Sequence, residues 1–266
     1  MKALVLASGG VDSTTALAMA VEKYGKENVF ALSISYGQKH DREIEAAKRV
    51  AGYYGVEQRF LDLSLIFKDS GSSLLKSSET EIPKGSYADL KCPDSENDKK
   101  SDILTDSEDQ AFCKTVNENK AETVYLKEEK TNTGCKELIS TYVPFRNGLF
   151  LASAASIAQS LGCSVILYGA HADDVAGSAY PDCTPEFNDA MNRSIIEGTG
   201  HEVHIEAPFV NMTKAEVVKT GLGLKVPYEY TWSCYEGGDK PCGVCATCID
   251  RAKAFEENGV RDPALG

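Results

Sequence analysis

The stretch Leu4–Ala20, "LVLASGGVDSTTALAMA", decides the fold. An apolar run of one strand's length breaks at Ser8-Gly9-Gly10, and apolar side chains then resume at the three-to-four residue spacing of a helix. Read outward from this break, Lys2 to Ala7 is a buried strand, Thr14 to Tyr24 a helix stopped by Gly25, and Val29 to Ser35 a second strand: a βαβ unit. Asp41 to Tyr54 follows as a helix with Ile44, Ala47, Val50 and Ala51 on one face, and leads into the short strand Gln58 to Leu63. After a long interval the pattern returns, with a helix from Gly148 to Ser160, a strand from Ser164 to Tyr168, a helix around Glu186 to Gly198 and a strand near Val203 to Ala207. A further helix opens at Thr213, with Glu216 three residues on as its capping-box partner. This alternation predicts an α/β fold, a doubly wound parallel sheet with helices on both faces.

At 266 residues the chain has room for one large α/β domain, here residues 1–230, with a C-terminal segment, 231–266, packed on it. Hydrophobic residues make up 42% and charged ones 26%, average for a soluble domain, and no apolar run approaches the ~20 residues of a membrane helix. No secretory signal opens the sequence, so a cytoplasmic, membrane-free protein is expected. A net charge of −12 argues against a broad grip on nucleic acid, which needs clustered Lys and Arg. The interval's second part, Leu90 to Leu138, holds 12 acids and 8 lysines with only Phe112 and Tyr125 as aromatics, too little apolar surface for a core element. It is read as a polar, mobile insertion (90–138) without a catalytic role, a lid or dimer contact being the alternative.

A glycine pair between strand and helix lets backbone N–H groups converge in a nest, and the helix adds its positive end; the natural guest is a phosphate. Walker loops place Lys after their glycines, but here Val11-Asp12-Ser13-Thr14 follows. The hydroxyls of Ser8, Ser13 and Thr14 can donate to phosphate, whereas Asp12 would repel it unless Mg²⁺ lies between. The plainer alternative is a strand-to-helix turn with Asp12 or Ser13 as N-cap. Near the other end, "CYEGGDKPCGVCATC" brings Cys234, Cys242, Cys245 and Cys248 into two overlapping Cys-x-x-Cys steps. Four thiolates suit tetrahedral Zn²⁺ and leave no open position, so the metal is expected to be structural, with a redox pair or an iron–sulfur cluster as other readings. The odd count of nine cysteines and a reducing compartment argue against a disulfide framework. Between these two motifs lie "YGQKH" (Tyr36 to His40), "VPFRN" (Val143 to Asn147) and "GAHADDVAGSAYPDC" (Gly169 to Cys183). The first and third follow strands, at the carboxyl edge where doubly wound sheets bind ligands.

Ser-Gly-Gly-Val-Asp-Ser after the first strand resembles the pyrophosphate-binding loop of the N-type ATP pyrophosphatases. Taken with YGQKH, VPFRN, YPDC and the four-cysteine tail, the sequence resembles the 7-cyano-7-deazaguanine synthase (QueC) family over nearly all of its length outside 90–138. The resemblance implies an adenine nucleotide α-hydrolase-like fold, with Ala7, Ser8, Gly9, Gly10, Val11, Asp12, Ser13 and Thr14 around the pyrophosphate and Ser33 and Tyr36 bordering adenine. It implies a ligase that uses ATP twice, first to adenylate 7-carboxy-7-deazaguanine for attack by ammonia, then to dehydrate the amide to a nitrile, in a homodimer with one zinc per chain. Asp12 is assigned to Mg²⁺, Arg146 to an α-phosphate or carboxylate clamp, and Lys39 to a second cation. For the guanine-like ring an acceptor carboxylate is required, Asp182 first and Asp173 second. Tyr180 or Trp232 is a candidate for stacking, His171 or His40 for the ammonia proton, and Gln38 and Asn147 complete the expected substrate contacts.

Phe145 stands where the family often has Gly or another small or polar residue, and is expected to narrow the pocket. Alternatives are relatives that attach the deazaguanine acid to a protein amine, a tRNA thiolase or another adenylating amidotransferase, and a zinc-ribbon scaffold that merely holds a nucleotide. The sequence shows no glutaminase domain before Ser8, so free ammonia is the expected nitrogen source.

Overall fold

Along the first strand, Ala3 and Val5 turn to one side and Leu4 to the other, and all three are fully buried because each side is covered by helices. The computed structural model describes residues 1–86, 139–173 and 180–265; the expectations for the insertion 90–138 fall outside them. Five strands, β1 (Ala3–Leu6), β2 (Val29–Ser35), β3 (Glu57–Asp62), β4 (Val165–Leu167) and β5 (His204–Glu206), form one sheet in the order β3-β2-β1-β4-β5, every neighbouring pair parallel. Helices α1 (Val11–Tyr24), α2 (Arg42–Tyr54) and α5 (Lys214–Gly223) supply Leu17, Val50 and Val217 to the core on one face. On the other, α3 (Arg146–Leu161) and α4 (Pro185–Gly198) bring Leu151, Ala154, Ala158 and Ile195 against Leu4 and Ile166. The sheet is therefore doubly wound, and its strand order reverses between β1 and β4, the place where such sheets open a crevice at the strands' carboxyl ends.

The break after β1 is tighter than the sequence reading. Helix α1 already begins at Val11, and Gly10, in extended conformation and without a side chain, stands at its N-cap. The alternative in which Asp12 or Ser13 caps the helix is corrected, since both lie within the first turn. Gly9 has φ +85°, and a Cβ there would meet the Glu43 carbonyl oxygen at 2.4 Å and the Ala47 nitrogen at 2.5 Å. Only glycine lets the loop lie against the start of α2 with this left-handed backbone.

A last helix, α6 (Ala246–Glu257), was not foreseen. Its buried face consists of Ala246, Cys248, Arg251, Ala254 and Phe255, and a cysteine and an arginine in that set break the apolar pattern by which helices are read. Arg251 is buried because its fork meets both oxygens of Asp262 (2.7 and 2.9 Å), the Thr231 hydroxyl and the Tyr228 carbonyl. The segment leading to α6 is tied to the loop after β1 by the Trp232 N–H, which donates to the Gly9 carbonyl at 2.9 Å. Among the described residues, no helix is long and apolar enough to cross a membrane.

Candidate active site

A cavity opens at the carboxyl ends of β1, β2 and β4, with Leu6, Ala7, Leu32, Ser33 and Tyr168 among its walls. At one end stands the first turn of α1. The Ser8 and Ser13 hydroxyls share a hydrogen bond of 3.0 Å, and the Ser8 Oγ accepts from the Gly10 N–H. Asp12 projects from the same turn toward two nitrogen-bearing side chains: Lys214 Nζ donates to its Oδ2, and His171 Nε2 lies 3.8 Å from that oxygen. Burial pushes the Asp12 carboxyl up, but Lys214 and then His171 outweigh it and hold the group below the usual carboxylate range. Its other oxygen, Oδ1, is buried without a hydrogen-bond partner among the described residues. An anionic oxygen left over in this position fits the ligation of a hard divalent cation.

Lys214 was missed in the sequence. It occupies the first position of α5, whose N-cap Thr213 and Glu216 form the expected capping box, and the Lys214 N–H donates to Asp173 Oδ2 at 2.7 Å. The Lys39 assignment is corrected accordingly: its Nζ donates to the Thr80 carbonyl at 2.9 Å in an exposed position and lines no part of the cavity. Lys214 is the cation beside Asp12.

At the other end, Arg146 opens α3 with its guanidinium 5.0 Å from the centre of the Tyr36 ring. Burial opposes its charge, yet Tyr36, Tyr235, Tyr180 and Asp182 more than compensate, so it stays cationic. Asp182 does not line the cavity. Its Oδ2 accepts from the Asn147 N–H at 2.9 Å, and the Asn147 amide donates back to the Asp182 carbonyl and to Cys183 Sγ. The preference for Asp182 as the ring acceptor is thus corrected: it steadies the first turn of α3, and so Arg146, by a charge at a helix N-terminus. Asp173, the second choice, lines the cavity but is bonded to α5.

The remaining expected residues divide between wall and support. Ala7, Ser8, Gly10, Ser13, Ser33 and Tyr36 reach the cavity, whereas Gly9, Val11 and Thr14 lie beneath it, Val11 in the core and Thr14 only 1% exposed. Gln38, Asn147, His171 and Tyr180 line it, Tyr180 with its hydroxyl on Thr141 at 2.8 Å. His40 does not; its ring stands edge-on to Trp232, where burial lowers its basicity. Phe145, expected to narrow the pocket, is 56% exposed and packs edge-on against Phe187 outside it. Its backbone is left-handed (φ +53°), a conformation in which glycine is unstrained.

Glu43, which the sequence reading did not single out, also faces the cavity. Burial pushes its carboxyl up to about 7 against the pull of Arg146. The folded protein therefore holds this proton more tightly than the unfolded chain, whose ordinary value is 4.5. The resulting stability is complete below that ordinary value and lost as pH rises through about 7. Thermal melts at about pH 5 and about pH 8 should show the wild type losing more stability across the interval than Glu43→Gln; equal losses would contradict the burial of this group.

The four C-terminal cysteines meet as a cluster whose sulfurs all lie within 4.8 Å of one another. A tetrahedral zinc site with Zn–S of about 2.3 Å requires sulfurs about 3.8 Å apart, close to the 4.0 Å between Cys242 and Cys248. The Glu236 and Cys242 N–H groups donate to Cys234 Sγ, and those of Val244 and Cys245 to Cys242 Sγ, as the outer shell of a thiolate site does. Donation from Cys234 and Cys248 pulls the Cys245 thiol well down, which places negative charge where a cation would neutralise it. The donor set fits zinc, and with four thiolates the site is closed to substrate.

Comparison with known proteins matches the chain to the family model "Queuosine biosynthesis protein QueC" over residues 2–105 and 99–259. The 7-cyano-7-deazaguanine synthase of Thermoplasma acidophilum is 37% identical over 98% of this chain and 90% of its own length. That of Caldicellulosiruptor saccharolyticus is 38% identical over 99% and 94%. Among solved structures, NMN synthetase from Francisella tularensis is similar at 14% identity with a TM-score of 0.45, covering 98% of this chain and 78% of that one. A family model spanning most of the sequence, and relatives above one-third identity along nearly all of it, establish that this chain belongs to the QueC family.

Proposed function

We propose that this protein converts 7-carboxy-7-deazaguanine and ammonia to 7-cyano-7-deazaguanine at the expense of two ATP, each cleaved to AMP and pyrophosphate. In the first half a carboxylate oxygen attacks the α-phosphorus and pyrophosphate leaves; ammonia then attacks the acyl carbon and AMP departs with that oxygen. In the second half the amide oxygen attacks a second α-phosphorus, and loss of AMP and protons from nitrogen leaves the nitrile.

The observation that carries the reading is the first turn of α1 at the β1/β4 crevice. There Gly10, the Ser8 and Ser13 hydroxyls and Lys214 line the same cavity, and Asp12, paired with Lys214, keeps its Oδ1 without a hydrogen-bond partner among the described residues. Donors so fixed stabilise the charge of departing pyrophosphate without having to reorganise. Asp12 is the residue that would hold Mg²⁺, and the ion, when bound, supplies neutralisation of the phosphate oxygens. Arg146 serves the α-phosphate or the attacking carboxylate, held in place by Tyr36 and by the Asp182 contact to α3. His171, 3.5 Å from Lys214 Nζ, is placed to exchange a proton at that end of the cavity. Cys234, Cys242, Cys245 and Cys248 would hold the zinc, which would staple the segment carrying Trp232 and Tyr235, both cavity walls, and supply no chemistry to the reaction. The assembly is proposed to be a cytoplasmic homodimer with no nucleic-acid partner.

Incubation with ATP, ammonium and the deazaguanine acid should yield two AMP and one nitrile per acid, read by mass spectrometry. AMP without nitrile, in the presence of a protein acceptor, would transfer the assignment to the conjugating relatives.

A further inference from the structure

The carboxylates at and around the cavity differ in what they already hold. Asp12 is paired with Lys214, Asp173 accepts the Lys214 N–H, Asp182 accepts the Asn147 N–H, and Asp250 is likewise engaged. Glu43 alone of these has no hydrogen bond or ion pair among the described residues, although it lines the cavity near the Tyr36–Arg146 end. A carboxylate left in a largely desolvated wall calls for donors from a ligand. Close by in sequence and in the same wall, Gln38 is buried with its Oε1 fixed by the Tyr36 N–H at 2.9 Å. That bond sets which way the amide points, and leaves its NH₂ group as a donor.

We infer that Glu43 reads the ring of the substrate acid, accepting from the adjacent N1–H and exocyclic amino group of the deazaguanine, with the Gln38 amide donating to the ring carbonyl. The inference rests on the functional reading above and deepens it by naming a specificity-determining residue. Two parallel N–H donors match a carboxylate in the bidentate manner of a guanidinium. A neutral ring also satisfies Glu43 without placing a second cation beside Arg146, whose charge already acts on it. Asp182, which offers the same chemistry, is turned to α3 instead.

The test compares the acid with its analogue lacking the exocyclic amino group, in the wild type and in Glu43→Gln and Glu43→Ala, by steady-state AMP release. Loss of one hydrogen bond to a charged group corresponds to about 10- to 100-fold, so the wild type should prefer the amino-bearing acid by that factor in kcat/KM. In both variants the preference should fall to within about threefold, chiefly through KM for the acid, with KM for ATP little changed. A preference that survives in both variants would overturn the assignment. So would an equal loss of kcat on the two acids, which is the signature of a proton-transfer role toward ammonia. If the wild type releases no AMP with either acid, the functional reading itself fails and the ring assignment falls with it; activity without altered discrimination strikes only the latter.

Discussion

Alanine at position 12 is expected to reduce AMP formation by about 10²- to 10³-fold in a protein that remains folded, the loss typical for one preorganised electrostatic group. Among the described residues, Asp12 is the one acid in the first turn of α1 and its Oδ1 has no hydrogen-bond partner, so without it a divalent cation loses its protein ligand at the pyrophosphate. Its removal also frees Lys214, which then faces the phosphates without a counter-charge. Binding of the nucleotide should therefore persist while turnover is lost, a change in kcat rather than in KM for ATP. Asp12→Asn, which keeps the shape and removes the charge, should behave alike. Full activity in either variant, with unchanged melting, would exclude the metal role.

Removal of zinc should have the largest effect on stability. Structural zinc sites contribute apparent binding energies of about 10–16 kcal/mol at neutral pH, all of it available to folding where the apo site is unformed. The cluster joins the segment through Cys234 to the start of α6, and these pieces line the cavity through Trp232, Tyr235 and Thr247. Even about 5 kcal/mol of that energy would lower Tm by about 10–20 °C in a domain of this size. Chelation, or Cys245→Ser, should accordingly lower Tm before it alters the rate of the protein that is still folded. An apo-protein of unchanged Tm that has lost activity would contradict a closed structural site.

The parts of this fold that were legible in sequence are those governed by local periodicity. The βαβ start, the later strand–helix alternation and the Thr213 capping box all appear within about three residues of where the pattern places them. What escaped depends on contacts far apart in the chain. Lys214 meets Asp12 across 202 residues. A trace of it was nonetheless present: a cation at the first position of a helix opposes the macrodipole, which marks Lys214, as it marks Arg146, as held there for another reason. Glu43 left no such trace, because an acid in the first turn of α2 looks like an ordinary dipole-satisfying surface residue. Asp182 was assigned to the ring on chemistry alone, and only the placement of α3 shows its carboxylate spent on Asn147. Helix α6 hid behind the very cysteines that were read correctly as a cluster, since Cys248 and Arg251 occupy its buried face.

On the proposed reaction, the acid's own oxygens leave on adenylate at the loop between β1 and α1. Acid labelled with ¹⁸O in both carboxylate positions tests it directly, with the AMP and the nitrile product weighed after a limited turnover. Each of the two activations should release AMP bearing a single ¹⁸O, with orthophosphate and pyrophosphate free of label. Unlabelled AMP, or label appearing in a phosphate cleaved from the γ-position, would contradict it.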